Sequence, residues 1–213
     1  MLAQFRAMVR PFFAALAWPL NALGLSPNHV TLLSIPLAAV AAYFFWNSEW
    51  VSGLLFLFLS TLCDALDGAL AGLQQKKTVV GNYLDAVVDR ITESFFFLGF
   101  VNLFPLASFL AVTGSTLVSY SKARAGLVVI SDNRDWPGFG ERSERLILLV
   151  LGVVVSIFVS RVQGFAAMEL FLYAIALLAW LSGLNRLRFG LNLVREAEKK
   201  GELLPYLKTK QKK

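Results

Sequence analysis

The chain has 213 residues, of which 57% are hydrophobic and only 16% are charged, and its formal net charge is +6 at pH 7. A soluble domain of this length would carry roughly a quarter charged residues, so the composition favours an integral membrane protein. The basic residues cluster in the breaks that flank apolar runs and do not line one soluble face, which argues against nucleic acid as a partner.

The N-terminal segment, residues 1–29, alternates basic and apolar residues and lacks the small-residue cleavage site of a secretory signal. We interpret it as an amphipathic juxtamembrane helix that lies along the membrane surface.

Six apolar runs follow, and each is close to the 20 or so residues needed to cross roughly 30 Å of hydrocarbon. Lysine and arginine concentrate at both termini and in the breaks around 74–81 and 125–144, whereas the other breaks hold few of them. The positive-inside tendency therefore predicts an all-α, multi-pass protein of the cell (plasma) membrane, a single domain over residues 1–213, with both termini and the basic tail 190–213 in the cytoplasm. The predicted spans are 30–47, 51–73, 82–103, 105–124, 145–163 and 167–189.

Four aspartates interrupt the second and third spans. Asp64 and Asp67 are three residues apart and Asp85 and Asp89 are four apart, so each pair lies on one face of its helix. The pairs flank the same cytoplasmic break, which places them at a similar depth. An ionised aspartate at the centre of a membrane helix costs about 2.5–3.5 kcal/mol, and four of them require compensating charge.

A divalent cation is the compensation that best suits such a cluster. Carboxylate oxygens favour Mg²⁺, Mn²⁺ or Ca²⁺, whereas the lone His29 and Cys63 cannot build a typical zinc site. Four carboxylates can hold two ions about 3.5–4 Å apart, an arrangement used in phosphoryl displacement. Two alternatives remain open. The acids could cap helices or pair with Lys76, Lys77 and Arg90, or the protein could be a divalent-cation transporter.

The spacing of these residues resembles a family signature. The pattern Asp64-x-x-Asp67-Gly68-x-x-Ala71, followed by Gly81-x-x-x-Asp85-x-x-x-Asp89, is similar to that of the CDP-alcohol phosphotransferases, and the stretch SPNHVTLLS at 26–34 also resembles the family. The resemblance implies a homodimeric six-span enzyme that moves a phosphatidyl-type group from a CDP-linked lipid to an alcohol and releases CMP. It implies two Mg²⁺ or Mn²⁺ ions held by Asp64, Asp67, Asp85 and Asp89, with Asp89 also the catalytic base, and CDP-lipid contacts from Asn28, Thr31, Gly68 and Thr78.

One position departs from that signature. The family usually has arginine after the alanine of the motif, where it would steady the donor diphosphate, and here the position holds Gly72. Lys76 or Lys77 could substitute for it from the adjacent loop, although neither has the planar fork of a guanidinium. A catalytically silent homologue that still binds nucleotide lipid therefore stays open as a further alternative.

A second cluster of basic residues bears on the acceptor. Arg142 and Arg145 stand at the start of a helix, where the helix dipole alone would favour acids. The segments SYSKARA and ERSER resemble the branch of the family that makes phosphatidylinositol phosphate or its archaeal counterpart. That resemblance implies inositol phosphate as acceptor, its phosphate bound by Lys122, Arg142 and Arg186, with glycerol phosphate as the alternative. The sequence does not distinguish a diacyl from a diether donor.

Overall fold

The computed structural model describes residues 2–129 and 136–201, with side chains from residue 11 onward. Within these residues the chain is almost entirely helical, as predicted, and a hairpin of two-residue strands is the exception. The elements are α1 Leu2–Ala22, α2 Pro27–Trp46, α3 Trp50–Leu73, α4 Val79–Leu98, α5 Pro105–Gly126, α6 Arg142–Phe158, β1 Arg161–Val162, β2 Phe165–Ala166 and α7 Ala167–Lys200.

Three of these helices, α2, α3 and α7, are long and apolar enough to cross a membrane, with 20, 24 and 34 residues. The chain is therefore a membrane protein. Helices α4, α5 and α6 coincide with the other three predicted runs, but α4 carries several charged side chains and α6 has only 17 residues. The count of six spans stays a prediction.

Two predicted spans extend beyond the C-terminal ends of the helices that the structure shows. The run 82–103 gives α4, which ends at Leu98, because turns follow from Gly99 to Leu103 before Pro105 begins α5. A Cβ added at Gly99 would lie 2.8 Å from the Cβ of Phe45, so this turn packs closely against α2. The run 145–163 gives α6, which ends at Phe158 because the next residues form the antiparallel pair of β1 and β2. Strands of two residues leave no hydrophobic period in a sequence, so this hairpin was not predicted.

The described chain divides into two compact units, of which the first contains α1 to α4. In it α2 packs against both α3 and α4, whereas α3 and α4 touch each other little, and α1 packs against α3. The aromatic rings of Phe45, Trp50 and Phe100 stack at the C-terminal end of α2, and the ring centroids of Phe45 and Phe100 are 4.7 Å apart. Apolar side chains of α1, α2 and α3 form a core of Ala17, Val30, Cys63, Leu66 and Leu70.

The loop between α3 and α4 begins with a Schellman ending. The N–H of Lys76 donates to the carbonyl of Ala71, and Gln75 takes a left-handed conformation with φ of 52°. The Gln74 amide nitrogen donates to Asn21 Oδ1 at 3.0 Å and to the Leu25 carbonyl at 2.9 Å. These contacts tie the loop to the connection between α1 and α2, and so fix the region that follows the first pair of aspartates.

The second unit contains α5, α6, the hairpin and α7, and in it α7 packs against both α5 and α6. Glycines permit close approach of these helices, as is usual in membrane proteins. A Cβ at Gly114 of α5 would lie 2.9 Å from the Cβ of Ala179, and one at Gly152 of α6 would lie 2.7 Å from the Cβ of Phe171.

Candidate active site

Three of the four predicted aspartates converge in the first unit. Asp64 and Asp67 of α3 and Asp85 of α4 each offer a carboxylate oxygen, and these oxygens all lie within 4.8 Å of one another. Asp67 is buried and the other two are half-buried. Three carboxylates this close repel each other unless positive charge joins them. An all-oxygen donor set suits Mg²⁺ or Mn²⁺, so the residues present fit the predicted metal site.

A hydrogen bond from a neighbouring helix orients one of these carboxylates. The hydroxyl of Thr31, on α2, donates to Asp67 Oδ2, and both residues are buried. Thr31 follows one turn after the helix start, where Ser26 caps α2 by accepting from the N–H of His29 at 3.3 Å. The start of α2 therefore fixes one member of the acidic cluster.

Asp89 lies one turn beyond Asp85 on α4 and is not a member of the group of three. Its Oδ2 is 3.8 Å from Nη2 of Arg90, and its side chain is 22% exposed. The structure therefore brings together three of the four predicted metal ligands and places the fourth a helical turn away. Its roles as metal ligand and base stay predictions.

A cleft of about 270 Å³ opens beside the cluster. Asp67 and Asp85 line it, and so do all four residues predicted to contact the CDP-lipid, namely Asn28, Thr31, Gly68 and Thr78. The structure thus gathers residues from α2, α3 and α4 that lie as far apart in the sequence as Asn28 and Asp85. Their role in binding stays a prediction.

Two helix N-termini meet at this cleft. Thr78 caps α4 by accepting a hydrogen bond from the N–H of Gly81 at 2.9 Å, and Pro27 and Asn28 begin α2. A Cβ at Gly81 would lie 3.1 Å from the Thr78 hydroxyl and 3.4 Å from Asn28 Oδ1, so glycine allows the two helix starts to approach. Helix N-termini attract anions, which makes the cleft suitable for a diphosphate next to a metal site.

The cleft also receives cationic side chains. Lys76 and Lys77, both exposed, line it from the loop between α3 and α4. Among the described residues, no atom lies within 4 Å of a Cβ added at Gly72, which stands at the arginine position of the signature. The two lysines therefore supply positive charge to the cleft. Position 72 has room for a larger side chain.

The predicted acceptor residues belong to the second unit. Arg186 of α7 is 7% exposed, and it donates to the Pro137 carbonyl from Nε at 3.2 Å and from Nη2 at 3.0 Å. Its Nη2 also lies 3.5 Å from Glu141 Oε1, and Lys122 of α5 is close enough for its charge to interact with both. Arg142 follows Glu141 as the first residue of α6. Lys122 and Arg186 therefore share one charged cluster.

The segment that leads into α6 is fixed from two sides. Arg145, which is 1% exposed, donates from Nη1 to the Gly140 carbonyl, and the Ser182 hydroxyl donates to the Phe139 carbonyl. Glu144 Oε2 accepts from the Gly140 N–H at 2.7 Å. Arg145 is thus a structural arginine, which explains its place in the first turn of a helix.

Sequence reasoning missed three residues near these sites. Asn82 lines the cleft, Glu141 contacts Arg186, and Glu93 lies on α4 only 2% exposed. A signal existed for Glu93, because an acid four residues after Asp89 in an apolar run lies on the same helix face. Asn82 and Glu141 stand in polar loops or helix ends, where a pattern does not show which way a side chain turns.

The sequence model of the CDP-alcohol phosphatidyltransferase family matches residues 24–187, which span both units. The chain belongs to the CDP-alcohol phosphatidyltransferase family. The resemblance found in the sequence is confirmed, and the protein is a membrane-bound transferase; this replaces cation transport as an account of its acidic cluster.

Relatives with assigned activities extend this result. The chain is 30% identical to archaetidylinositol phosphate synthase of Pyrococcus horikoshii over 207 residues, which are 95% of this chain and 100% of that one. It is 31% identical to phosphatidylinositol phosphate synthase of Mycobacterium tuberculosis over 171 residues, or 74% of this chain and 77% of that one.

Solved structures agree with the sequence comparison. The crystal structure of the M. tuberculosis phosphatidylinositol phosphate synthase with CDP-DAG bound superposes with a TM-score of 0.71 at 28% identity, and the match covers 84% of this chain and 92% of that one. The same synthase in complex with manganese and citrate also gives a TM-score of 0.71, covering 84% and 88%.

Proposed function

We propose that this chain transfers a phosphatidyl-type group from a CDP-linked lipid to inositol phosphate and releases CMP. The observation that carries the proposal is the convergence of Asp64, Asp67 and Asp85 at a cleft lined by the four residues predicted to contact the donor. Relatives named as archaetidylinositol and phosphatidylinositol phosphate synthases support the choice of acceptor.

The first unit binds the donor. Asn28, Thr31, Gly68 and Thr78 contact the CDP moiety in the cleft that they line. The N-termini of α2 and α4, together with Lys76 and Lys77, supply the positive potential that a diphosphate requires. The structural relative with CDP-DAG bound supports a donor of this class.

Asp64, Asp67 and Asp85 hold the divalent cations, Mg²⁺ or Mn²⁺, and Asp89 completes a site for two of them. When bound, such cations neutralise diphosphate charge and stabilise the attacking and leaving oxygens of an in-line displacement. The structural relative in complex with manganese supports this choice of metal.

Asp89 takes the proton of the acceptor hydroxyl. The hydroxyl oxygen then forms a bond to the β-phosphorus of the donor, and the bond between that phosphorus and the bridging oxygen breaks, so that CMP leaves with the electron pair. Asp89→Asn should therefore lower turnover by more than about a hundredfold, while CDP-lipid still binds. Turnover like that of the unmodified chain would remove Asp89 from the role of base.

The second unit binds the acceptor phosphate through Lys122, Arg142 and Arg186. Arginine and lysine bind phosphate by charge-assisted hydrogen bonds. Because Arg186 already donates to the Pro137 carbonyl, we assign the larger part of the binding to Lys122 and Arg142.

We extend the proposal to the arrangement in the membrane. Helices α2 to α7 form six spans, α1 lies along the membrane surface, and both termini and the active site face the cytoplasm. The chain is one functional domain and works as a homodimer. The concentration of basic residues in alternate breaks supports this orientation.

An acceptor panel tests the proposal. Purified protein with Mn²⁺ is given CDP-diacylglycerol or CDP-archaeol, and CMP release is measured with inositol phosphate, glycerol phosphate, free inositol or serine. We expect release to depend on inositol phosphate. Release with glycerol phosphate instead would replace the acceptor, and no release with any pair would point to the silent homologue.

A further inference from the structure

A buried acid on α4 takes no part in the chemistry proposed above. Glu93 is 2% exposed, and α4 occupies one of the predicted spans. A carboxylate buried in a membrane helix is costly unless it is paired, and such residues are usually functional. Glu93 lies one turn after Asp89, the residue assigned as base.

Arg90 connects the two acids. Its Nη1 lies 3.0 Å from Glu93 Oε2, and its Nη2 lies 3.8 Å from Asp89 Oδ2. Adjacent residues on a helix do not face each other, so Arg90 reaches the carboxylate of Asp89 only if its side chain is held back towards it. The contact with Glu93, three residues further on, holds the guanidinium in that orientation. The planar fork of arginine allows one nitrogen to serve each acid.

We infer that Glu93 and Arg90 are positioning residues, which fix the carboxylate of Asp89 in the orientation that the transfer reaction needs. The inference rests on the proposed role of Asp89. It explains why a carboxylate is retained in the interior of α4, where an apolar residue would pack at lower cost. It also gives Arg90, which the sequence analysis names only in an alternative to the metal site, a defined place between two acids.

The two contacts differ in what they contribute. The Glu93 contact is short and its carboxylate is buried, so it fixes the arginine. The Asp89 contact is longer and only half-buried, so it favours one orientation of the Asp89 carboxylate without neutralising its charge. A loss of this bias misplaces a reacting group, and misplacement by about 1 Å can reduce a rate on the order of a hundredfold.

Three variants separate positioning from structural support: Arg90→Gln, Glu93→Gln and the double variant R90Q/E93Q. Arg90→Gln leaves Glu93 buried without its cation, so we expect a lower unfolding temperature as well as a lower kcat. The double variant removes both charges together. We expect it to recover thermal stability while its kcat stays at least about tenfold below that of the unmodified chain.

The readouts are kcat, the KM of the donor, the KM of the acceptor and the unfolding temperature in detergent. Positioning predicts a fall in kcat with both KM values changed less than about twofold. The matched control is Ser94→Ala on the same turn, because the exposed Ser94 hydroxyl donates to the backbone carbonyl of Arg90, at 2.8 Å, and not to either acid. It should change none of the four.

Recovery of both stability and kcat in the double variant would show that the pair is merely structural and would overturn the inference. A proportionate rise in the KM of the donor would also overturn it, since the pair would then serve binding. Failure of the proposed function is distinguishable from both, because the unmodified chain would then release no CMP.

Discussion

The Thr31 hydroxyl on α2 donates a hydrogen bond to the Asp67 carboxylate on α3. Through this bond a residue of the predicted nucleotide site orients a residue of the predicted metal site. The two sites are therefore coupled by a hydrogen bond, and a change at Thr31 should alter the affinity of the metal site.

Thr31→Val keeps the shape of the side chain and removes the donor. We expect the Mn²⁺ concentration that gives half-maximal activity to rise by about tenfold or more, because partners that orient metal ligands are worth that much in affinity. A metal titration of CMP release measures it. The control is Thr61→Val on α3, whose hydroxyl lies 3.1 and 3.0 Å from the carbonyls of Leu57 and Phe58 in its own helix. An unchanged metal requirement in Thr31→Val would show that this bond does not support the site.

Gly72→Arg restores the arginine of the family signature at a position with open space. We expect the KM of the CDP-lipid to fall by about three- to tenfold, because a guanidinium binds a diphosphate with two hydrogen bonds. Steady-state kinetics with varied donor measure the change. Gly126→Arg is the control for added positive charge, because in the described part of the chain no atom lies within 4 Å of a Cβ added there.

The same assay tests the two lysines of the cleft. K76A/K77A should raise the KM of the donor, and this effect should shrink when Gly72→Arg is also present. Equal effects in both backgrounds would contradict the idea that the lysines stand in for the arginine.

Arg142→Ala should raise the KM of inositol phosphate by about tenfold or more and leave the KM of the donor unchanged. The reason is the loss of a charge-assisted hydrogen bond to the acceptor phosphate. Kinetics with each substrate varied in turn provide the measurement. Arg188→Ala on α7, an exposed arginine, is the control. A change confined to the donor would mean that Arg142 belongs to another site.

Gln75→Gly should stabilise the protein by about 0.5–1 kcal/mol. Gln75 has a φ of 52° at the end of α3, a conformation that glycine adopts without the steric cost that other residues incur. Thermal unfolding in detergent measures the shift. Gln74→Gly, which removes the hydrogen bonds to Asn21 and Leu25, should destabilise instead. A lower unfolding temperature for Gln75→Gly would show that its side chain has a contact that matters more than its backbone.

Much of the acidic site could be predicted from the sequence because helical spacing fixes the relative direction of nearby residues. Asp64 and Asp67 had to lie on one face of α3, and they do converge with Asp85. Helical spacing does not show how α3 and α4 are positioned relative to each other. Most of the contact runs through α2, which packs against both, and no local pattern records that arrangement.

The basic residues were harder to sort. Lys122, Arg142 and Arg186 are predicted to bind the acceptor phosphate, and Arg145 stands beside Arg142 at the same helix start. A charge in the sequence does not reveal its partner. The structure shows that Arg145 donates a hydrogen bond to the Gly140 carbonyl and that Arg186 donates two to the Pro137 carbonyl. Backbone carbonyls carry no sequence signal, so such contacts are visible only in the fold.

The most direct test of the account is a titration of the protein with Mn²⁺ followed by electron paramagnetic resonance, in the presence of CDP-lipid. The unmodified chain should bind two equivalents of Mn²⁺, and Asp67→Asn should lose this binding, whereas Glu49→Gln, at the far end of α3, should retain it. Equal binding of Mn²⁺ by the unmodified chain and by Asp67→Asn would contradict a metal centre built from these aspartates.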